Sequence, residues 1–306
     1  MADDTRERYI NPYTDFGFKK LFGTEMNKDL LISFLNSLFN GHEVIRDVEY
    51  LNSERLGEGY TDRKAVFDVY CENEKGEKFI VEMQKAEQNY FKDRSVFYST
   101  FPIREQAKRG EDWDFELKSV YLVGVLDFVF PEDEYSAECF HHEIKLMDTQ
   151  DKHIFYDKLT FVYLEMPKFS KTEDELVTMF DKWMFALKNL SRLLERPKAL
   201  QDRIFKKFFE QAEIARFTPE ERQDYEYSVK IYRDLINVVN TANSKGWRAG
   251  HAEGLAEGRA EGLAEGRAEG LAESKVVIAR NLKGMGMSVA DIMKATGLTA
   301  QEIENI

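Results

Sequence analysis

The sequence predicts an α/β fold, a set of about five strands flanked by helices, with a helical C-terminal extension. Three observations predict it. Apolar residues recur at helical spacing from Asn11 to Phe39. The period changes after Gly57-Glu58-Gly59 to strand-like runs that continue to Glu165. From Thr172 a helical pattern takes over. A chain of 306 residues has room for one large domain or two modest ones with a well-buried core.

The first helical region starts after Pro12, with Thr14 or Asp15 as its N-cap. Phe18, Leu21 and Phe22 lead to Leu30, Leu31, Phe34, Leu35 and Leu38, and Gly23 marks a break. Val66 to Cys71 and Lys78 to Gln84 read as strands joined by the polar turn Glu72-Asn73-Glu74-Lys75-Gly76-Glu77. Asn89 to Lys108 reads as a helix, kinked or interrupted at Pro102. Leu117 to Phe128 is a strongly apolar, buried strand, and Cys139 to Met147 and Asp157 to Glu165 complete the set.

Thr172 to Asn243 reads as helical throughout. Within it, Lys182 to Lys207 carries eight basic residues against Glu195 and Asp202, a flank for a DNA backbone or simply a solvated face. Ala252 to Glu273 repeats A-E-G-L-A-E-G-R. Four residues advance a helix by about 400°, so each stripe drifts ~40° per unit. Leu255, Leu263 and Leu271 therefore share no face, which argues against a heptad coiled coil. Glycine at every fourth position costs ~1 kcal/mol each against alanine. The repeat reads as a semi-flexible spacer in preference to a tight glycine-mediated helix association. In the tail, Ser288 and the capping box Thr299-Ala300-Gln301-Glu302 start two helices around Gly297. The second helix has no Lys or Arg to meet bases, so the tail reads as a packing or oligomerisation element. The expected organisation is a core over 1–170, a helical region over 171–243 on or beside it, a spacer over 244–273 and a helical tail over 274–306.

Net charge is -13, which counts against an extended DNA-wrapping surface but not against a small cleft holding a cation. Two cysteines, Cys71 and Cys139, and five histidines without H-x-x-x-H spacing exclude a disulfide framework and a zinc cluster. The N-terminus lacks an apolar signal segment. The longest apolar stretch, Val120 to Phe130, is broken by Asp127 and falls short of the ~20 residues that span a bilayer. A cytoplasmic protein without membrane association is expected.

Two carboxylates carry the chemistry. A turn centred on Lys75 places Asp68 and Glu82 seven residues to either side, as direct cross-strand partners with Cβ atoms ~4.5–5.5 Å apart. Alternation puts Lys64, Val66, Asp68 and Tyr70 on one face, with Ile80, Glu82 and Gln84 opposite them. Acids inside Val-Phe-Asp-Val-Tyr and Ile-Val-Glu-Met-Gln are costly unless paired or metal-bound. The same pattern also suits an exposed hairpin face. A glycosidase pair fits poorly, because it requires a sugar groove and a set spacing of ~5–9.5 Å.

The segments Asn11-Pro-Tyr-Thr-Asp-Phe-Gly-Phe-Lys-Lys-Leu-Phe22, Phe67-Asp-Val-Tyr70 and Val81-Glu-Met-Gln84 resemble the recombination-promoting nuclease / putative transposase family of the PD-(D/E)XK superfamily, over roughly residues 9 to 240. The resemblance implies a restriction-endonuclease-like mixed central sheet flanked by helices. It also implies a Mg²⁺-dependent (or Mn²⁺-dependent) DNA endonuclease that promotes recombination or serves a mobile element. Asp68, Glu82 and the carbonyl of Met83 would be the metal ligands, and Gln84 stands where the superfamily has lysine. A neutral amide orients water but cannot stabilise developing charge as an ammonium does. The alternative is therefore a catalytically weak or silent nuclease fold that binds DNA or protein. Auxiliary candidates are Asp15, which is also a candidate helix cap, Arg94 and Tyr98, four apart on one helix, and Lys64, ~13 Å along its strand from Asp68 at ~3.3 Å per residue. Lys85 is expected on the opposite face by alternation. Beyond DNA, the expected partner is a second copy, held through the C-terminal repeat and tail.

Overall fold

The N-terminal apolar spacing folds into two helices, α1 (Asp15–Phe22) and α2 (Lys28–Leu38), separated where Gly23 ends the first. The structure, a computed structural model, describes residues 7–39, 45–55, 65–107, 114–130 and 138–306. The strands are β1 (Val48–Tyr50), β2 (Glu54–Arg55), β3 (Ala65–Val66), β4 (Val69–Asn73), β5 (Lys78–Gln84), β6 (Val120–Leu126), β7 (His141–Met147) and β8 (Ile154–Glu165). The further helices are α3 (Phe91–Glu105), α4 (Met179–Asn189), α5 (Arg203–Ala212), α6 (Pro219–Gly284), α7 (Val289–Thr296) and α8 (Ala300–Glu304).

Six strands form one mixed sheet in the order β1-β4-β5-β6-β8-β7, and β2 and β3 pair separately. The β4–β5 hairpin is antiparallel, with Val69 opposite Val81 and Glu72 opposite Lys78, so it is centred on Lys75 as the turn residues imply. Helix α3 then crosses over, and β5, β6 and β8 run parallel. Parallel strands covered on both faces read as unbroken apolar runs, and every residue of β6 is buried. Strands β1 and β2, three and two residues long, escaped the sequence reading because alternation needs about four residues to register.

Each face of the sheet has its own core. Helices α1, α2, α4 and α5 cover one face, where Phe79, Val81 and Met83 of β5 meet Phe18, Leu31, Trp183 and Phe208. Helix α3 covers the other, where Ile80, Leu122 and Tyr163 meet Phe91, Tyr98 and Phe101. Pro102 does not interrupt α3; it lies in the last turn and the helix ends three residues later. On this second face Glu82, Gly124 and Tyr163 lie side by side on β5, β6 and β8. A Cβ on residue 124 would stand 3.0 Å from the Tyr163 ring. That ring packs on Phe91 at 5.7 Å, so glycine lets α3 settle against the sheet.

The region from Thr172 is less uniformly helical than its periodicity suggests, with extended breaks around Leu193–Pro197 and Glu213. Of the eight basic side chains from Lys182 to Lys207, four are held within the protein: Lys182 by Asp202, Lys188 by the carbonyls of Pro167 and Phe169, Arg196 by Gln201, and Lys207 by Asp29.

The chain forms two compact units, Met1–Asn237 and Val238–Ile306. In the second, the repeat lies within continuous helix α6. Three of every four residues are Ala, Glu, Leu or Arg, all strong helix formers, which offsets the glycines. Helices α7 and α8 cap a small core of Ala279, Ile292 and Ile303. Ser288 and Thr299 serve as their N-caps, and Gly297 ends α7 in the left-handed region with φ 73°. Among the described residues, no helix is long and apolar enough to cross a membrane.

Candidate active site

The hairpin brings its two acids together where β4 gives out. Asp68 does not lie in a strand; it occupies a bend between β3 and β4, one position beyond the last paired residue. Its backbone N–H donates to Glu82 Oε1 at 3.3 Å, and its own Oδ2 accepts the N–H of Met83 at 2.8 Å. A strand residue aims its N–H and C=O at the same neighbour, so the Met83 carbonyl also points toward Asp68. Glu82 is buried, 5% exposed. Gln84 Nε2 donates to Glu82 Oε2 at 3.1 Å.

The N-terminal motif builds the opposite wall. The Asn11 carbonyl accepts the N–H and hydroxyl of Thr14, and Thr14 Oγ1 accepts the Gly17 N–H to cap α1. A Cβ at residue 17 would come within 2.2 Å of the Asn11 carbonyl, so only glycine permits this turn. Thr14 is therefore the cap, and Asp15 is released from that role. Asp15 pairs with Lys19 at 3.2 Å and lines, with Asp68 and Lys85, two adjoining cavities of about 210 and 650 Å³.

Lys85 follows the last residue of β5 and keeps the face alternation gives it, opposite Ile80 and Glu82. On the α1 side, with Phe18 and Met83, it lines the smaller cavity beside Asp68, and it lines the larger one as well. It makes no hydrogen bond or ion pair among the described residues. Lys64 lies outside the described residues. From α3, Arg94 Nη2 donates to Gln84 Oε1 at 2.7 Å, and Nη1 donates to Gln88 Oε1. The guanidinium is flanked by the rings of Phe91 and Tyr98, 5.3 and 5.7 Å from its carbon. A chain Glu82–Gln84–Arg94 thus joins the acid to a cation through one amide. Lys19 and Gln88 were missed in the sequence. The first was signalled by its i,i+4 spacing from Asp15; the second carried no local signal.

Burial raises the Asp68 carboxyl above its ordinary range, against the Met83 N–H that favours its ionised form. Burial, reinforced by the charge of Asp68, pushes Glu82 up to about 8. Burial and the neighbouring Glu82 also raise the Tyr98 phenol. The sign of the consequence is definite. Between the ordinary Glu pKa of 4.5 and about 8, the folded protein keeps a proton that the unfolded chain has released. Stability of the metal-free protein therefore falls across that window, by up to ~1.4 kcal/mol per pH unit for one such group. Glu82→Gln should remove most of this slope and melt higher than wild type near pH 8. Thermal melts in EDTA across the window check it, and parallel curves for the two proteins would contradict it.

One other acidic group, Asp148, Asp151 and His153 in the β7–β8 turn, brings its ligand atoms within 4.8 Å. Asp148 Oδ1 already accepts the backbone N–H groups of Gln150 and Asp151, so turn geometry accounts for the cluster.

Residues 12–242 match the family model of the PD-(D/E)XK nuclease family transposase. The chain belongs to that family. No curated protein and no solved structure matches it. The mixed six-stranded sheet with flanking helices is the restriction-endonuclease-like α/β fold of PD-(D/E)XK nucleases. The matched span takes in the three sequence segments quoted above from Pro12 onward, from the α1 wall to the Asp68/Glu82 hairpin.

Proposed function

We propose that this PD-(D/E)XK family member is a metal-dependent DNA endonuclease that hydrolyses phosphodiester bonds and promotes recombination or serves a mobile element. The observation that carries the reading is the pairing of Asp68 and Glu82 across the end of the hairpin, where Asp68, Met83 and Gln84 line a cleft walled by α1. Two desolvated carboxylates with the neighbouring Met83 carbonyl are a hard-oxygen donor set, suited to Mg²⁺ or Mn²⁺. Burial raises both carboxyls, reinforced at Glu82 by the charge of Asp68, and a bound divalent cation would offset that cost. Bound there, the cation would supply Lewis-acid stabilisation of charge on the scissile phosphate. Asp68, Glu82 and the Met83 carbonyl would hold it, Gln84 orients Glu82, and Lys19 and Lys85 attract the DNA backbone to a chain that is otherwise acidic.

Incubating the protein with supercoiled plasmid tests this. Open-circular or linear product should form with Mg²⁺ or Mn²⁺ and not with EDTA; product that is indifferent to chelation would overturn the reading. A second reading, a silent nuclease fold that only binds DNA or protein, draws on Gln84, whose amide brings no charge to Glu82. Retained plasmid binding without product at any metal concentration would favour it.

We also propose that copies associate through the C-terminal unit. Leu255, Leu263 and Leu271 are 47–62% exposed, and nothing but the helix itself approaches the repeat glycines. A helix that buries no face within its own chain gains little from packing, and a second copy would supply the missing contact. Removing residues 250–306 should lower the number of chains per particle seen by light scattering while leaving the Asp68/Glu82 site formed. An unchanged oligomeric state would overturn the proposal.

A further inference from the structure

We infer that a second site beside the cleft receives an unstacked nucleobase of the DNA strand being cut, with Tyr90 as its stacking platform. The inference rests on the nuclease reading and adds a substrate contact to it. A cavity of about 410 Å³ lies at the start of α3. This is within the ~300–1,000 Å³ typical of small-molecule sites. Three aromatic side chains line it: Phe91 and Phe130 are buried, whereas Tyr90 is 79% exposed.

Tyr90 is held in the left-handed region, φ 63° and ψ 29°, where a bulky side chain is costly. Glycine or asparagine would cap α3 from this conformation with less strain. A tyrosine that is both strained and exposed contributes little to the core it borders, and such outliers gather where a side chain must be presented to a ligand. Beside the acids Glu87 and Asp93, the lining holds groups that suit a base. Gln88 and Asn89 offer amide donors and acceptors for a base edge, and the Lys92 ammonium, 4.8 Å from the Phe130 ring, brings positive charge to the rim.

The position ties this cavity to the cleft. Gln88 lines both it and the smaller of the two cavities at Asp68. The same Gln88 side chain accepts from Arg94, which in turn donates to Gln84 beside Glu82. A phosphodiester at the carboxylates therefore places a neighbouring nucleotide within reach of Tyr90. Stacking on an aromatic ring accepts every base, so this contact sets register on the strand rather than sequence.

The test uses short single-stranded oligonucleotides carrying one 2-aminopurine at successive positions, titrated into the full-length protein in EDTA so that nothing is cut. Wild type should quench the probe at one position. Tyr90→Gly should abolish that quenching and weaken binding roughly 5- to 150-fold, the effect of ~1–3 kcal/mol for one stacked base. Tyr90→Trp should retain both. Because glycine removes the left-handed strain, the Tyr90→Gly melting temperature should match or exceed wild type, which separates lost stacking from lost folding. If Tyr90→Gly does not fold, Tyr90→Asn, tolerant of the same conformation, takes its place. Wild-type affinity and quenching in the variant would overturn the proposal. Tyr90-dependent quenching in a protein that cuts no plasmid would uphold the base site and sink the nuclease reading. Plasmid cleavage with Tyr90-independent binding would do the reverse.

Discussion

Asp68→Ala and Glu82→Ala should each slow Mg²⁺-dependent plasmid cleavage by on the order of 10³-fold or more, the upper range for removing one group that stabilises the transition state. The two losses should not add. Each carboxylate holds the same cation, so the second substitution removes a function already gone. The double variant should therefore cut no more slowly than the worse single one. Folding should survive both changes. Asp68 sits in a bend outside the ladder, and Glu82→Ala takes a costly buried acid out of the core, leaving the Gln84 amide one partner short. Circular dichroism establishes the fold and gel assays the rate. Wild-type nicking by Glu82→Ala would refute the assignment of the site.

Arg94→Met and Lys85→Met should each cost ~10²-fold in single-turnover cleavage at saturating Mg²⁺. Phosphoryl transfer develops negative charge, and with glutamine in the usual lysine position some other cation must meet it. Lys85 is the simpler candidate: its ammonium lines both cavities at Asp68 and makes no ion pair among the described residues. Arg94 reaches the acid through Gln84, and its fork is committed to two glutamine oxygens between two rings. Lysine cannot reproduce that fork, so Arg94→Lys should fail to rescue Arg94→Met. Full rates in both methionine variants would leave the metal as the sole electrophile.

The main strands and the hairpin register were legible because the signals are local. The Lys75 turn set the pairing of β4 with β5, and the apolar run of β6 announced a strand covered on both sides. The cap of α1 was legible only as a choice between Thr14 and Asp15, since both residue types cap. The choice fell to the Asn11 carbonyl, whose contacts are set by three-dimensional placement. The place of Lys85 was legible, since it follows the alternation of β5 onto the α1 side. That Asp68 opens onto the same side was not, because Asp68 sits in a bend outside the ladder. Arg94 was found by its spacing to Tyr98, but its bonds to Gln84 and Gln88 belong to the crossover that folds α3 over the sheet. The repeat was read through the penalty of its glycines, which the other three positions of each unit outweigh in α6.

Gly124 contributes no chemistry, yet the reach of the site depends on what it lacks. The Tyr163 ring occupies the place a side chain on Gly124 would claim, and Phe91 rests on that ring. The height of α3 above the sheet is thus gauged by a missing methyl group, next door to Glu82 on the adjacent strand. Arg94, Tyr98 and Tyr90 all ride on that helix or at its start. A family member with a larger residue here could keep every acid and every cation and still hold them out of range of one another. The reactive parts would be intact and the calliper that spaces them sprung.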